Sequence, residues 1–213
     1  MTPVEALEAM LARHGMPAVG RRAYDLCVFA VRNDTSSNRF DDALGVAYRE
    51  VDDGPVVMAA WRCTTDPGRR ALLTPRNPRG TFALRDDYRH RALWVAGFHK
   101  RDPSWPALVH NPSVKAVGFR DNDRDAILER LVDVDDGGGI NCHDGADEDR
   151  ADQAVDNHSE GCVVSFRRAI RRLRELLALQ KAHGMGGAVS LHLFRRDTNP
   201  EADRLLTAAG VAL

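Results

Sequence analysis

A histidine and a cysteine 19 positions apart hold most of the chemical potential of this 213-residue chain. The stretch from Gly137 to Ser165 reads GGGINCHDGADEDRADQAVDNHSEGCVVS. His143 closes a short strand-like run, Ile140-Asn141-Cys142, and 15 residues separate it from Ser159-Glu160-Gly161-Cys162. The thiolate is the reactive form of cysteine, and an imidazole brought back by the intervening loop can take the thiol proton. Gly161 allows close backbone approach, and the N–H groups of Gly161 and Cys162 could face a developing oxyanion. This is an arrangement for acyl transfer through a thioester. The bland reading makes Cys162 a small buried apolar residue and His143 a structural loop histidine.

The elements around this pair must bring it together. A strong helix is expected over about 165–182, with Ser165 as N-cap, so Cys162 would precede a helix N-terminus by three residues. Phe166, Ile170, Leu173 and Leu177 form its apolar stripe, and Arg167, Arg168, Arg171, Arg172 and Arg174 a basic outer face. Upstream, Thr2, Pro3 and Glu5 form a capping box for a short N-terminal helix that Gly15 ends. Between these helices the chain reads as short strands, over 24–31, 43–48, 55–63, 80–84, 92–98 and 114–119. They are divided by turn signals such as Asp52-Asp53-Gly54 and Asp66-Pro67-Gly68. Residues 133–160 read as an acidic, Gly-rich loop, 188–194 as a last strand, and 201–209 as a short terminal helix. The spacing predicts a mainly β (α+β) fold, a barrel or sandwich. A helical lead over 1–20 precedes one domain over 21–213.

Composition narrows the function. With 30 Lys+Arg against 31 Asp+Glu the net charge is -1, unlike the basic balance of a dedicated nucleic-acid binder. The longest apolar runs, of which Val56 to Trp61 is one, are far below the roughly 20 residues that span a bilayer, so neither a nucleic-acid nor a membrane partner is expected. The first 15 residues carry Glu5, Glu8 and Arg13 and no apolar core, so no secretory leader is expected. Four cysteines without CxxC spacing form neither a disulfide scaffold nor a structural zinc site. Cys142 should point away from His143 by strand alternation and lie in the core, as should Cys27 and Cys63.

The pattern from His143 to Ser159-Glu160-Gly161-Cys162 resembles the catalytic motif of the L,D-transpeptidases (YkuD-type domains), a His, a loop and then [S/T]-H-G-C. Gly139-Ile140-Asn141-Cys142-His143 is similar to the G-I-N-I-H run of the phage and prophage branch of that family. More diffuse similarities include Thr64-Thr65-Asp66-Pro67-Gly68, Gly97-Phe98-His99-Lys100, Pro106-Ala107-Leu108-Val109 and the stretch from Phe119 to Asp125. The resemblance spans roughly residues 24–194. It implies an L,D-transpeptidase-like β-sandwich or barrel with a helix after the catalytic cysteine. It also implies peptidoglycan stem peptides as substrate, and transpeptidation, exchange or hydrolysis with no cofactor and no metal. Cys162 matches the nucleophile, His143 the base, Gly161 the oxyanion-hole position and Ser159 the hydroxyl that supports the loop. With no leader, the resemblance implies phage- or secretion-type delivery from the cytosol to the wall, with a delivery or immunity protein as a further partner.

The chain departs from the motif at several positions. Glu160 replaces a His or small residue, and is expected to face solvent or Arg167 or Arg168. Asp144 follows His143, where it could orient the imidazole. Val164 stands where many members carry an Arg, leaving Arg120 or a helix arginine to hold a substrate carboxylate. His158, Asn141, His99 and Trp94 are further expected to line the substrate cleft. Two other classes remain open: a metal-dependent peptidoglycan peptidase using His143, Asp144 or Asp147, and His158, and a non-catalytic wall-binding or phage structural module. The acids of 144–156 are hard oxygen donors without EF-hand spacing.

Overall fold

The computed structural model describes residues 1–33, 38–129, 133–146 and 154–211. Eight strands close into a barrel. In barrel order they are β1 (Cys27–Arg32), β11 (Ala188–Arg195), β5 (Tyr88–Phe98), β6 (Pro106–His110), β9 (Cys142–Ala146), β10 (Val163–Phe166), β3 (Val56–Thr64) and β2 (Asp42–Arg49), which returns to β1. Two neighbouring pairs, β1/β11 and β9/β10, run parallel. A second sheet stacks β4 (Thr81–Leu84), β7 (Ala116–Asp121) and β8 (Asp133–Gly137). The helices are α1 (Pro3–Arg13), α2 (Arg69–Leu73), α3 (Arg167–Ala182) and α4 (Ala202–Ala208). None of the helices among the described residues is long and apolar enough to cross a membrane.

Strand alternation divides the core into two layers. Val28 and Ala30 of β1 point into the barrel, where Leu44, Val46, Leu191, Leu193, Cys142 and Val163 meet Ile170, Leu173 and Leu177 of α3. Cys27, Phe29 and Val31 point outward and are covered by Leu7, Met10 and Leu11 of α1 and Leu205 and Leu206 of α4. A strand buried on both faces needs an unbroken apolar run, which is what 27–31 supplies. Phe29 lies across Gly45 of β2, where any side chain would run into its ring. Burying each of Leu7, Met10 and Leu11 contributes about 1.5–3 kcal/mol, so the lead helix is bound to the barrel wall. Its capping box is present, with Glu5 N–H donating to Thr2 Oγ1 (3.2 Å) and Thr2 N–H to Glu5 Oε2 (2.6 Å).

The β2–β3 hairpin turns at Asp52-Asp53-Gly54, with Asp53 in the left-handed region. Several elements differ from the sequence reading. Ser165 does not cap α3: it lies inside β10, fully buried, with its hydroxyl donating to the Arg62 carbonyl (2.7 Å). Phe166 is the N-cap and offers no side-chain cap. The stretch after Cys162 is therefore strand before it is helix, and the thiol gains nothing from a helix N-terminus. Strand β6 and helix α2 also form in stretches to which the sequence reading assigns no element, and strand β8 lies where a loop is expected. Asp147, Glu148, Asp149 and Asp152 of the acidic stretch lie outside the described residues.

Candidate active site

Strands β9 and β10 bring the two halves of the motif together. They pair in parallel, Cys142 beside Val163 and His143 beside Val164, and the Val163 N–H donates to the Asn141 carbonyl (3.0 Å) just before the ladder. In this register Asn141 and His143 share a face with Cys162 and Val164. Strand spacing sets diagonal Cα atoms on such a face roughly 8 Å apart. Cys162 and His143 both border one cavity of about 380 Å³, together with His99, Asn141, His158 and Arg120. Cys142 points the other way and is fully buried in the barrel core, as strand alternation requires.

The sulfur sits at the cavity wall with 9% of the residue exposed. It accepts from the Asn141 backbone N–H (3.4 Å) and lies 3.8 Å from the Gly139 carbonyl. Burial pushes the thiol up to about 11, and the Glu160 carboxylate adds to this. The Asn141 N–H and the Lys100 ammonium work in the opposite direction. Burial likewise holds the His143 imidazole down to about 4, with the main-chain oxygen of Asp144 opposing and His99 assisting. The resting pair is thus a neutral thiol and a neutral imidazole.

The loop before Cys162 is tied by its serine. Ser159, fully buried, donates from Oγ to the Cys162 carbonyl (2.8 Å) and accepts from the Gly161 N–H (3.1 Å). Its own carbonyl accepts from Gly68 N–H (2.9 Å) in the Asp66-Pro67-Gly68 turn. Gly161 has φ +111°, and a Cβ there would run into the Phe82 carbonyl oxygen of β4. Both features demand glycine. The Gly161 N–H, expected to face an oxyanion, is instead held by Ser159. The Cys162 N–H has no acceptor among the described residues.

The other expected residues divide. His99 joins the site: its ring centroid lies 3.9 Å from that of His143, and its Nδ1 accepts from Asn141 Nδ2 (3.2 Å). Asn141 is thereby engaged on both ends, since its Oδ1 accepts from His110 N–H (2.9 Å). Arg120 borders the cavity, donates to the Gly80 carbonyl (2.9 Å) and stacks over Phe82. His158 borders the cavity, half-buried. Glu160 pairs with Arg76 (3.0 Å), not with Arg167 or Arg168. Trp94 does not line the cleft: it is fully buried in the core, and its indole N–H donates to the Ile140 carbonyl (2.9 Å), which fixes the approach to Asn141. The Asp144 carboxylate does not orient the imidazole either. It accepts from Trp105 Nε1 on one oxygen and Arg167 Nε on the other (3.0 Å), while its main-chain oxygen holds His143 Nδ1 (2.8 Å).

Sequence reasoning missed Trp105, Lys100 and Arg76. Trp105 makes T-shaped contacts with both His99 (4.5 Å between ring centroids) and His143 (5.6 Å), with Lys100 Nζ over its ring (5.5 Å). Lys100 and Arg101 have positive φ of 51° and 62°, an uncommon backbone that places this turn at the cavity. The sequence signals for Lys100 and Trp105 are slight: the Gly97-Phe98-His99-Lys100 run and the Asp102-Pro103 turn beside an aromatic residue. No group of three or more metal-ligating side chains forms among the described residues. No family model matches the chain, and no curated protein or solved structure matches it.

Proposed function

We propose that this chain is a cysteine acyl-transfer enzyme of the L,D-transpeptidase-like fold, acting on peptidoglycan stem peptides. The observation that carries the reading is the shared cavity. His143 lies in β9 and Cys162 immediately precedes its parallel neighbour β10; both border the same cavity and belong to the two motif segments that resemble that family. Among the described residues, the cations at its rim, Lys100, Arg120 and Arg76, outnumber its acid, Glu160, and suit a substrate that carries carboxylates.

In this mechanism the Cys162 sulfur attacks the peptide carbonyl as its proton passes to His143 Nε2. The tetrahedral intermediate collapses, breaking the C–N bond, and the imidazolium returns the proton to the departing amine. The resulting thioester is resolved by a second stem amine or by water, whose proton His143 takes and returns to the thiol. The Cys162 N–H is the backbone donor available to the carbonyl oxygen.

A metal-dependent peptidase using His143, Asp144 or Asp147, and His158 is less well supported: the Asp144 carboxylate is already held by Trp105 and Arg167, and no group of three or more metal-ligating side chains forms among the described residues, outside which Asp147 lies. The test incubates purified protein with peptidoglycan fragments, with and without EDTA, beside Cys162→Ala. Stem-peptide turnover lost in the variant and indifferent to EDTA, with a thioester mass on Cys162, supports the proposal. Turnover that survives in Cys162→Ala, or binding with no turnover at all, refutes it.

A further inference from the structure

A second concavity lies on the other side of β9 from the thiol. Consecutive strand residues face opposite ways: His143 borders the thiol cavity, whereas Asp144 borders a groove of about 810 Å³ between α3 and strands β5 and β6. Its floor is apolar, made by Val95, Ala96, Pro106, Ile170, Leu177 and Ala178. Its wall is basic. Arg167, Arg171, Arg174 and Lys181 recur at helical spacing on one face of α3, and all four line the groove.

Among the described residues, Arg171 and Lys181 have no ion-pair partner, and Arg174 lies over the Phe98 ring (5.4 Å). Glu175 is the one acid of this face outside the Asp144–Arg167 pair, and it contacts Arg172 (3.5 Å). From Arg171 to Lys181 the stripe runs about 15 Å along the helix, the length of a short peptide.

We propose that this groove docks an acidic, amphipathic peptide segment of a partner protein. Apolar side chains at i, i+3/i+4 and i+7 would sit on the Ile170–Leu177 floor, and carboxylates would meet Arg171, Arg174 and Lys181. A nucleic-acid backbone would gain nothing from the apolar floor, and the net charge of -1 does not draw polyanions to the chain as a whole. The proposal is independent of the thiol chemistry, because it concerns the opposite face of β9 and is read by binding alone.

The test measures fluorescence anisotropy of a labelled 14-residue helical peptide, Leu at the seated positions and Glu elsewhere, against the full chain. Two control peptides replace Leu by Ser or Glu by Lys, and an oligothymidylate supplies a third probe. The expected result is saturable binding of the Leu/Glu peptide that weakens with salt. It should fall at least tenfold for the Ser and Lys peptides and for the Arg171→Glu/Lys181→Glu variant. Ala178→Trp fills the groove without changing its charge and should also lose binding, with an unchanged melting curve showing an intact fold. Failure of the Leu/Glu peptide to bind, equal binding of oligothymidylate, or binding that Ala178→Trp leaves intact overturns the proposal.

Discussion

The His143 imidazole is held by the main-chain oxygen of Asp144, 2.8 Å from Nδ1, and not by that residue's carboxylate. A carbonyl only accepts, so Nδ1 carries the proton and Nε2 is the basic nitrogen. The orienting group is therefore one that no side-chain substitution removes. Where a buried carboxylate orients the histidine, its amide replacement costs about 10⁴ in kcat. Here Asp144→Asn should leave kcat within about tenfold of the native value, whereas His143→Ala abolishes turnover. Steady-state kinetics of the two variants on stem peptides check this, and a loss of 10³ or more in Asp144→Asn would show that the carboxylate acts on the imidazole.

The buried thiol sets a pH dependence. Because the thiol is pushed up to about 11 by burial, the thiolate fraction should rise about tenfold per pH unit across the neutral and mildly alkaline range. Iodoacetamide labelling of Cys162, followed by peptide mass spectrometry, should climb without a plateau below pH 10. Glu160→Gln removes a carboxylate that raises the thiol and should speed labelling at fixed pH; Lys100→Gln should slow it. A plateau near pH 8 contradicts this account of the site.

The serine tie predicts a stability loss coupled to function. Ser159→Ala leaves the Gly161 N–H and the Cys162 carbonyl without their buried hydroxyl partner. Each unsatisfied group costs about 1–3 kcal/mol. Gly161→Ala adds backbone strain at φ +111° and a collision with β4. Urea titration should show both variants destabilised, Gly161→Ala the more so; equal stability of Gly161→Ala and the native chain would contradict the packing of β4 against the cysteine loop.

Burial of imidazoles also shapes acid stability. His90, His143 and His192 are held at about 4 by burial, below the ordinary 6.5, and His99 and His110 are lowered in the same direction. Between those values the unfolded chain binds protons that the fold does not. Their contribution is complete above pH 6.5 and is lost as pH falls toward 4. Asp42 and Asp121, whose carboxyls burial raises, act with the opposite sign, but two carboxyls oppose five imidazoles. The urea midpoint should fall from pH 7 to pH 5, and the His143 ring proton shifts should not titrate above pH 5. A midpoint that rises on acidification would reverse the balance.

Much of this architecture is legible in local sequence. The Thr2/Glu5 box, the Asp52-Asp53-Gly54 turn and the apolar stripe of α3 each report a short-range preference, and each produces the expected element. Strand β6 is hidden because it opens at Pro106, and β8 because Asp133–Gly137 is acidic and lacks an apolar alternation. Ser165 has the chemistry of a cap, but a strand running straight into α3 uses its hydroxyl elsewhere. At the site, the motif residues and two of their neighbours, His99 and Asn141, are legible, and the remaining partners are not. Trp105, Lys100 and Arg76 come from turns far along the chain, and their roles arise only when the barrel closes. Trp94, an aromatic in an apolar strand, reads as core more readily than as cleft, and its burial and bond to the Ile140 carbonyl place it in the core.

The contact between Gly161 and the Phe82 carbonyl has a consequence for the order of events in the chain's life. The thiol's seat is completed by a strand from the small three-stranded sheet, whose members are drawn from widely separated stretches of sequence. Until that sheet has docked, Cys162 is an ordinary thiol, and it is assembly that encloses the sulfur and pushes its ionisation upward.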